Sequence, residues 1–162
     1  METVVLDSSV IVKAIVRPGR WLPIDVYRRE AETHVKARKV IELLKKRNRT
    51  VVLPFPVLVE VAAVISRLVS RELAERIVES LRTTTNYIVV DEGDVREEAI
   101  KVAIRTGSSG FDAYILATAL KYNAILITDD EPMSRHAKKE KLECILLRSI
   151  SSSELESLIY NS

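Results

Sequence analysis

A single glutamate, Glu60, lies in the otherwise apolar stretch "PFPVLVEVAAVIS", residues 54–66. Burying an unpaired carboxylate costs free energy of the same order as the net stability of a whole domain, unless a proton or a cation neutralises it. Glu60 therefore lies either at an edge of the core or beside a partner. A carboxylate at this place points to chemistry rather than to packing.

Four aspartates occupy comparable places. Asp7 ends the apolar run "TVVLD", Asp129 and Asp130 end "AILITDD", and Asp112 lies in the first turn of the helical stretch "FDAYILATAL". Each has an ordinary structural explanation: Asp7 as a helix cap, Asp112 as an acid favoured by the helix dipole, and "TDDEP" as an acidic turn. Glu60 has no such explanation, because the middle of a helix offers no capping role.

Carboxylates that gather at one place repel one another, so they either share protons or hold a cation. No neighbouring run of the sequence supplies Lys or Arg partners for all of these acids. Oxygen-only ligand sets suit hard ions such as Mg²⁺ or Mn²⁺. An ion held in this way polarises a phosphoryl oxygen and activates water, which is the chemistry of phosphodiester cleavage.

The elements that must position these acids alternate along the chain. Short apolar runs predict five strands, at residues 3–7, 50–54, 87–91, 124–130 and 143–147, and helical stretches separate them. This alternation predicts an α/β fold with a parallel sheet that is covered on both faces. Because ligands bind at the carboxyl ends of such strands, we expect the acids to meet at one rim of the sheet.

Charge is segregated along the chain. The net charge is only +2, yet the stretch from Lys13 to Arg49 holds twelve Lys or Arg against four acids, so this stretch carries +8 and the remaining residues −6. Such a run is either the solvated face of a helix or a track for a polyanion such as nucleic acid. On the second interpretation Lys13, Arg17 and Arg20 are nucleic-acid contacts.

Length and composition limit the class of protein. The 162 residues, 47% of them hydrophobic, predict one domain over residues 1–162 with a basic helical insertion at about 17–39. No apolar run approaches the ~20 residues of a membrane span, and "METVVLD" lacks the features of a signal peptide. Cys144, the single cysteine, fits a reducing compartment. We expect a cytoplasmic protein with no membrane association.

Four stretches in this order, "VVLDSSVIV", "LVEVAAVI", "GSSGFDAYILATAL" and "AILITDDEPM", resemble the PIN-domain nucleases, and within them the VapC-type toxins of prokaryotic toxin–antitoxin pairs. The resemblance covers nearly the whole chain. It implies a three-layer α/β/α sandwich with a central parallel sheet of about five strands. It also implies a Mg²⁺- or Mn²⁺-dependent ribonuclease acting on single-stranded RNA, a homodimer, and a small antitoxin partner.

The resemblance also assigns roles to positions. A Thr-x-Asp motif matches Thr128 and Asp130, which makes Asp130 the fourth acid and leaves Asp129 as the alternative ligand. Ser9 and Thr128 support the site through hydrogen bonds. The implied catalytic and metal-binding residues are Asp7, Glu60, Asp112 and Asp130.

Some interpretations stay open at this point. Trp21, in "PGRWLP", is either a stacking platform for a base or a lid packed on the body of the protein. The basic insertion leaves room for a different substrate or a different dimer. The rival functions are a PIN-domain protein of RNA processing that is not a toxin, and an RNA-binding module that does not cleave.

Overall fold

A computed structural model describes residues 3–160 of the chain, except for the side chain of Tyr160. Within this range, five parallel strands form one sheet in the order β3-β2-β1-β4-β5. The strands are β1 (Thr3–Leu6), β2 (Thr50–Pro54), β3 (Tyr87–Val90), β4 (Ile125–Thr128) and β5 (Cys144–Leu146). Helices flank the sheet, which confirms the three-layer α/β/α fold expected from the sequence.

The helices follow the strands as the alternating pattern predicts. They are α1 (Ser8–Ile15), α2 (Ile24–Lys46), α3 (Phe55–Leu68), α4 (Arg71–Thr83), α5 (Glu92–Thr106), α6 (Gly110–Lys121), α7 (Glu131–Lys139) and α8 (Ser152–Tyr160), with a short 3-10 turn at Leu147–Ser149. No helix in the described range is both long enough and apolar enough to cross a lipid bilayer.

The central strands are buried on both faces. Val4 in β1 pairs with Val51 in β2 on one side and with Ile125 in β4 on the other. Both valines are fully buried, as are most residues of these three strands. Strands covered on both faces have continuous apolar sequences rather than alternating ones, which explains why the runs "TVVL" and "TVVLP" are recognisable.

The order of the strands determines where in the sheet a binding crevice can form. From β1 the chain winds outward through β2 to β3, then returns to the other side of β1 for β4 and β5. The winding direction therefore reverses between β1 and β4, where such sheets leave a crevice at the carboxyl ends of the strands. Asp7 follows β1 and Asp129 follows β4, and the amide of Asp7 donates to the carbonyl of Ile127 at 3.0 Å.

The basic segment is mainly one helix. Residues 16–23 connect α1 to α2, and α2 continues for 23 residues. One face of α2 is buried, through Ala37, Val40 and Leu44 among others, and it packs against α1 and α8. The predicted helical character of the basic segment is confirmed, and most of the basic side chains of α2, although not Lys36, lie away from its buried face.

Candidate active site

Asp7 is held inside the crevice by hydroxyl groups. Its side chain is nearly buried, and although it stands at the N-cap position of α1 it makes no capping hydrogen bond. Instead, Ser9 Oγ and Thr128 Oγ1 each donate to Asp7 Oδ2 at 2.6 Å. The capping explanation for Asp7 is therefore wrong, and the structure places Ser9 and Thr128 in contact with this acid.

Glu60 meets the same end of β1. It lies partly buried in α3, and its Oε2 accepts a hydrogen bond of 2.7 Å from Ser8 Oγ. The same hydroxyl lies 3.3 Å from Asp7 Oδ1. Because a hydroxyl has one proton to donate, the shorter contact to Glu60 takes it. Ser8 thus positions Glu60 beside Asp7, a role that sequence reasoning missed.

Asp112 joins this group from the first turn of α6, where its amide donates to Ser109 Oγ at 3.2 Å. Burial raises the pKa of Asp112, and a hydrogen bond with Ser109 partly offsets this effect. The negative charges of Asp7, Asp130 and Glu60 raise the pKa further. The four acids are remote in sequence, yet in the fold the charges of three of them act on the fourth, Asp112.

Asp130 lies at the start of α7. Its Oδ1 accepts a hydrogen bond of 2.7 Å from the amide of Met133 and so caps that helix. Its own amide donates to Thr128 Oγ1 at 2.9 Å. The explanation of "TDDEP" as an acidic turn is consistent with this use of one Asp130 oxygen as a helix cap, while Asp130 itself remains exposed.

Asp129 has a different environment from its neighbour. Its side chain is 1% exposed and forms ion pairs with Lys13 and with Arg148, the latter at 3.0 Å. Burial alone would raise the pKa of Asp129, but the hydrogen bonds from Arg148 and Lys13 outweigh burial and hold the pKa below its ordinary value. The buried carboxylate of Asp129 thus binds the charged side chains of Lys13 and Arg148.

The three residues predicted to contact nucleic acid, Lys13, Arg17 and Arg20, have different environments. The ammonium of Lys13 is engaged by Asp129 and by Glu30, at 2.6 Å from Glu30 Oε2. Arg17 and Arg20 are exposed. Arg148, which sequence reasoning missed, has no recognisable signal in "CILLRS", because its partner Asp129 lies on another strand end.

The donor set of the four acids fits a hard divalent ion. All their ligand atoms are carboxylate oxygens. Burial raises the pKa of Asp112 most and the neighbouring negative charges raise it further, and a bound cation would offset both effects. As the side chains of the described residues stand, no three Asp, Glu, His or Cys are close enough together to enclose an ion. Three of the four acids accept hydrogen bonds from hydroxyl or amide donors instead.

Comparison with known proteins gives one family. The family model described as "PIN domain" matches residues 4–139. No curated protein matches the sequence at a significant level.

Solved structures include similar folds. VapC20 of Mycobacterium tuberculosis, described as a Sarcin-Ricin loop cleaving toxin, has a TM-score of 0.62 and 17% identity, over 82% of this chain and 93% of that chain. FitAB bound to a DNA fragment has a TM-score of 0.61 and 14% identity, over 91% and 97%. VapBC2 of Rickettsia felis bound to a promoter DNA fragment has a TM-score of 0.57 and 18% identity, over 88% and 97%. At these identities the likeness shows the fold alone.

Proposed function

The chain belongs to the PIN-domain family, and from this premise we propose that it is a Mg²⁺- or Mn²⁺-dependent endoribonuclease that hydrolyses single-stranded RNA. We propose further that it is the toxin of a type II toxin–antitoxin pair. The observation that carries the proposal is geometric: the hydroxyl of Ser8 contacts both Asp7 and Glu60 at the carboxyl end of β1. Asp112 and Asp130 lie near enough for their charges to act on this group. Four coupled carboxylates at the switch point of a parallel sheet are a site for a divalent cation and its phosphate ligand.

In this proposal the residues that hold the ion are Asp7, Glu60, Asp112 and Asp130. When bound, the ion supplies the positive charge that polarises a phosphoryl oxygen and makes a nucleophile of water at neutral pH. The chain supplies the positioning. Ser9 and Thr128 hold one oxygen of Asp7, and Ser8 holds one oxygen of Glu60, which leaves the second oxygen of each acid for the ion.

We assign the fourth ligand to Asp130 rather than to Asp129. The charge of Asp129 is already balanced by Lys13 and Arg148, and its side chain is buried among them. Asp130 is exposed, and its charge acts on Asp112. Replacing the cations around Asp129 by a metal ion would leave Lys13 and Arg148 without their main partner, which is costly for partly buried charges.

The toxin role and the partners are supported by the relatives of similar fold. VapC20 is described as a toxin that cleaves the Sarcin-Ricin loop, and FitAB and VapBC2 are described as bound to DNA. By analogy we propose a small antitoxin as the partner of this chain, and the cytoplasm as its location. The basic stretch that begins at Lys13 supports a polyanionic substrate.

We propose a homodimer as the functional unit. Ile100 and Ile104 on α5 and Phe111 on the adjoining α6 are exposed, and such apolar surface is typical of a face that meets a second copy. Light scattering of the purified chain should give the mass of a dimer, and Ile104→Asp should give that of a monomer. A monomeric wild type at micromolar concentration would overturn this part of the proposal.

The nuclease proposal is tested with purified protein and a single-stranded RNA. We expect cleavage with Mn²⁺ or Mg²⁺ and none with EDTA. Asp7→Asn should lower the rate by about 100-fold or more, as loss of a charged group acting at the reaction centre does. Asp94→Asn, which removes an exposed acid of α5, is the matched control and should cleave like the wild type. Binding without cleavage by the wild type would instead favour an RNA-binding module.

A further inference from the structure

Trp21, the only tryptophan of the chain, is presented to solvent by a tight turn. The amide of Leu22 donates to the carbonyl of Gly19 at 3.2 Å, and Trp21 lies inside this turn with 88% of its surface exposed. The interpretation of Trp21 as a lid packed on the body is therefore wrong. Trp21 is the largest of the exposed apolar side chains in the described part of the chain, and an exposed indole can stack on a planar ligand.

Gly19 leaves the space that this ring occupies. A Cβ atom on Gly19 would lie 2.3 Å from Cη2 and from Cζ2 of the Trp21 indole, so the ring rests directly against the glycine. Any other residue at position 19 would have to displace the ring. The absence of a side chain at Gly19 is thus what allows the exposed ring to occupy this position.

The chain on either side of Trp21 supplies cationic and aromatic side chains. Arg20, Leu22, Ile24 and Tyr27 line a surface cleft of about 450 Å³, within the size range of small-ligand sites. Arg17 and Arg20 are exposed, and neither has an ion-pair partner among residues 3–160. Aromatic rings beside arginines are what single-stranded nucleic acids stack on.

The geometry of α2 puts this cleft beside the acidic site. Helix α2 ends at Lys46, four residues before β2 begins, so it runs antiparallel to the strands and its first residues lie at their carboxyl ends. Glu30 marks the level of the strand ends, because Lys13 links it to Asp129. The six residues before Glu30 extend about 9 Å further, at ~1.5 Å per residue.

We propose that Arg17, Arg20, Trp21 and Tyr27 form a stacking platform that binds bases and phosphates of a single-stranded RNA beside the carboxylate site. This inference rests on the proposed function only for the identity of the strand as a substrate. RNA is favoured over a protein partner by charge, since residues 17–29 hold four arginines and one acid, Asp25.

The test uses Trp21 as its own reporter, in EDTA so that no cleavage interferes. Titration of the wild type with oligouridylate should quench its tryptophan fluorescence. With a labelled oligouridylate, Trp21→Ala should bind about 5- to 100-fold more weakly, and Trp21→Phe should bind nearly as well as the wild type. Leu68→Ala, which removes an exposed apolar side chain from the end of α3, is the control and should bind unchanged.

A second pair of variants tests whether the position of the Trp21 ring matters for binding, and not only its presence. Gly19→Ala keeps the indole but displaces it, and should weaken binding of oligouridylate towards the level of Trp21→Ala. Gly93→Ala, where a Cβ meets only Asp91 Oδ1 at 3.4 Å, should bind like the wild type. Equal binding by Gly19→Ala and the wild type would overturn the proposed pose.

The outcomes distinguish this inference from the nuclease proposal. A wild type that binds and is quenched but does not cleave supports the platform and contradicts the nuclease. A wild type that cleaves, while Trp21→Ala shows the same affinity and the same KM, overturns the platform alone. Unchanged fluorescence with RNA, together with quenching by a protein partner, would also overturn it and assign the surface to that protein.

Discussion

At the scale of single residues, two adjacent acids have opposite environments. Asp129 is buried and paired with Lys13 and Arg148, whereas Asp130 is exposed, caps α7 and acts on Asp112. The reason is the end of β4, after which successive side chains point to opposite sides of the chain. One acid therefore stabilises the crevice, and the other is available to the proposed ion.

The lowered pKa of Asp129 predicts how the stability of the protein changes with pH. Because its folded-state pKa is below its ordinary value, the stability that the ionised group contributes is present above about pH 4 and is lost as pH falls through the folded pKa. Asp129→Asn should lower the free energy of unfolding at pH 7 by about 3 kcal/mol. Urea denaturation at several pH values measures this difference, which should shrink below about pH 4.

The control for this experiment is Asp94→Asn, which should change the free energy of unfolding by less than about 1 kcal/mol. A loss for Asp129→Asn that stays constant from pH 7 to pH 3 would contradict the proposed role of its charge.

At the scale of secondary-structure elements, three of the four acids lie at or just before the start of a helix. Asp7 precedes α1, Asp112 lies in the first turn of α6, and Asp130 precedes α7. Backbone amides at a helix start favour negative charge, so these places offset part of the cost of gathering carboxylates. Glu60 alone comes from within a helix, and Ser8 at the start of α1 holds it in place.

The capping serine of α6 gives an element-scale prediction. Ser109 accepts from the amide of Asp112, as Ser70 accepts from that of Leu73 at the start of α4. Ser109→Ala and Ser70→Ala should each cost about 1 kcal/mol of stability, measured by chemical denaturation. Only Ser109→Ala should also weaken Mn²⁺ binding in calorimetry, because it alone moves an acid of the site. Equal Mn²⁺ affinities for the two variants would contradict this positioning role.

The elements themselves were predictable because their signals are local. Apolar runs such as "TVVL" mark buried strands, and the ordered motifs mark the residues that follow them. Contacts between remote side chains carry no local signal: Ser8 and Glu60 lie 52 positions apart, and Arg148 meets Asp129 across two strand ends. The exposure of Trp21 was also unpredictable, because it depends on how the turn at residues 19–22 sits against the rest of the fold.

At the scale of the whole molecule, the site exists only in the folded chain. The reversal of winding between β1 and β4 assembles acids that lie 123 positions apart in sequence, from Asp7 to Asp130. An ion that binds these acids together therefore binds the native state and not the unfolded chain. Binding of this kind stabilises a protein by mass action.

Thermal unfolding measures this coupling. Mn²⁺ at about 100 times its Kd should stabilise the wild type by about 2.7 kcal/mol and raise Tm by about 5–10 °C. Asp7→Asn should lose this rise, and Asp94→Asn should keep it. A rise of equal size in Asp7→Asn would show that the ion binds elsewhere.

The most direct measurement is anomalous diffraction from crystals of the protein grown with Mn²⁺. The account predicts one strong anomalous peak at the carboxyl ends of β1 and β4, in contact with the carboxylates of Asp7, Glu60, Asp112 and Asp130 or with water molecules that they bind. A map with no peak among these four side chains at saturating Mn²⁺ would contradict it.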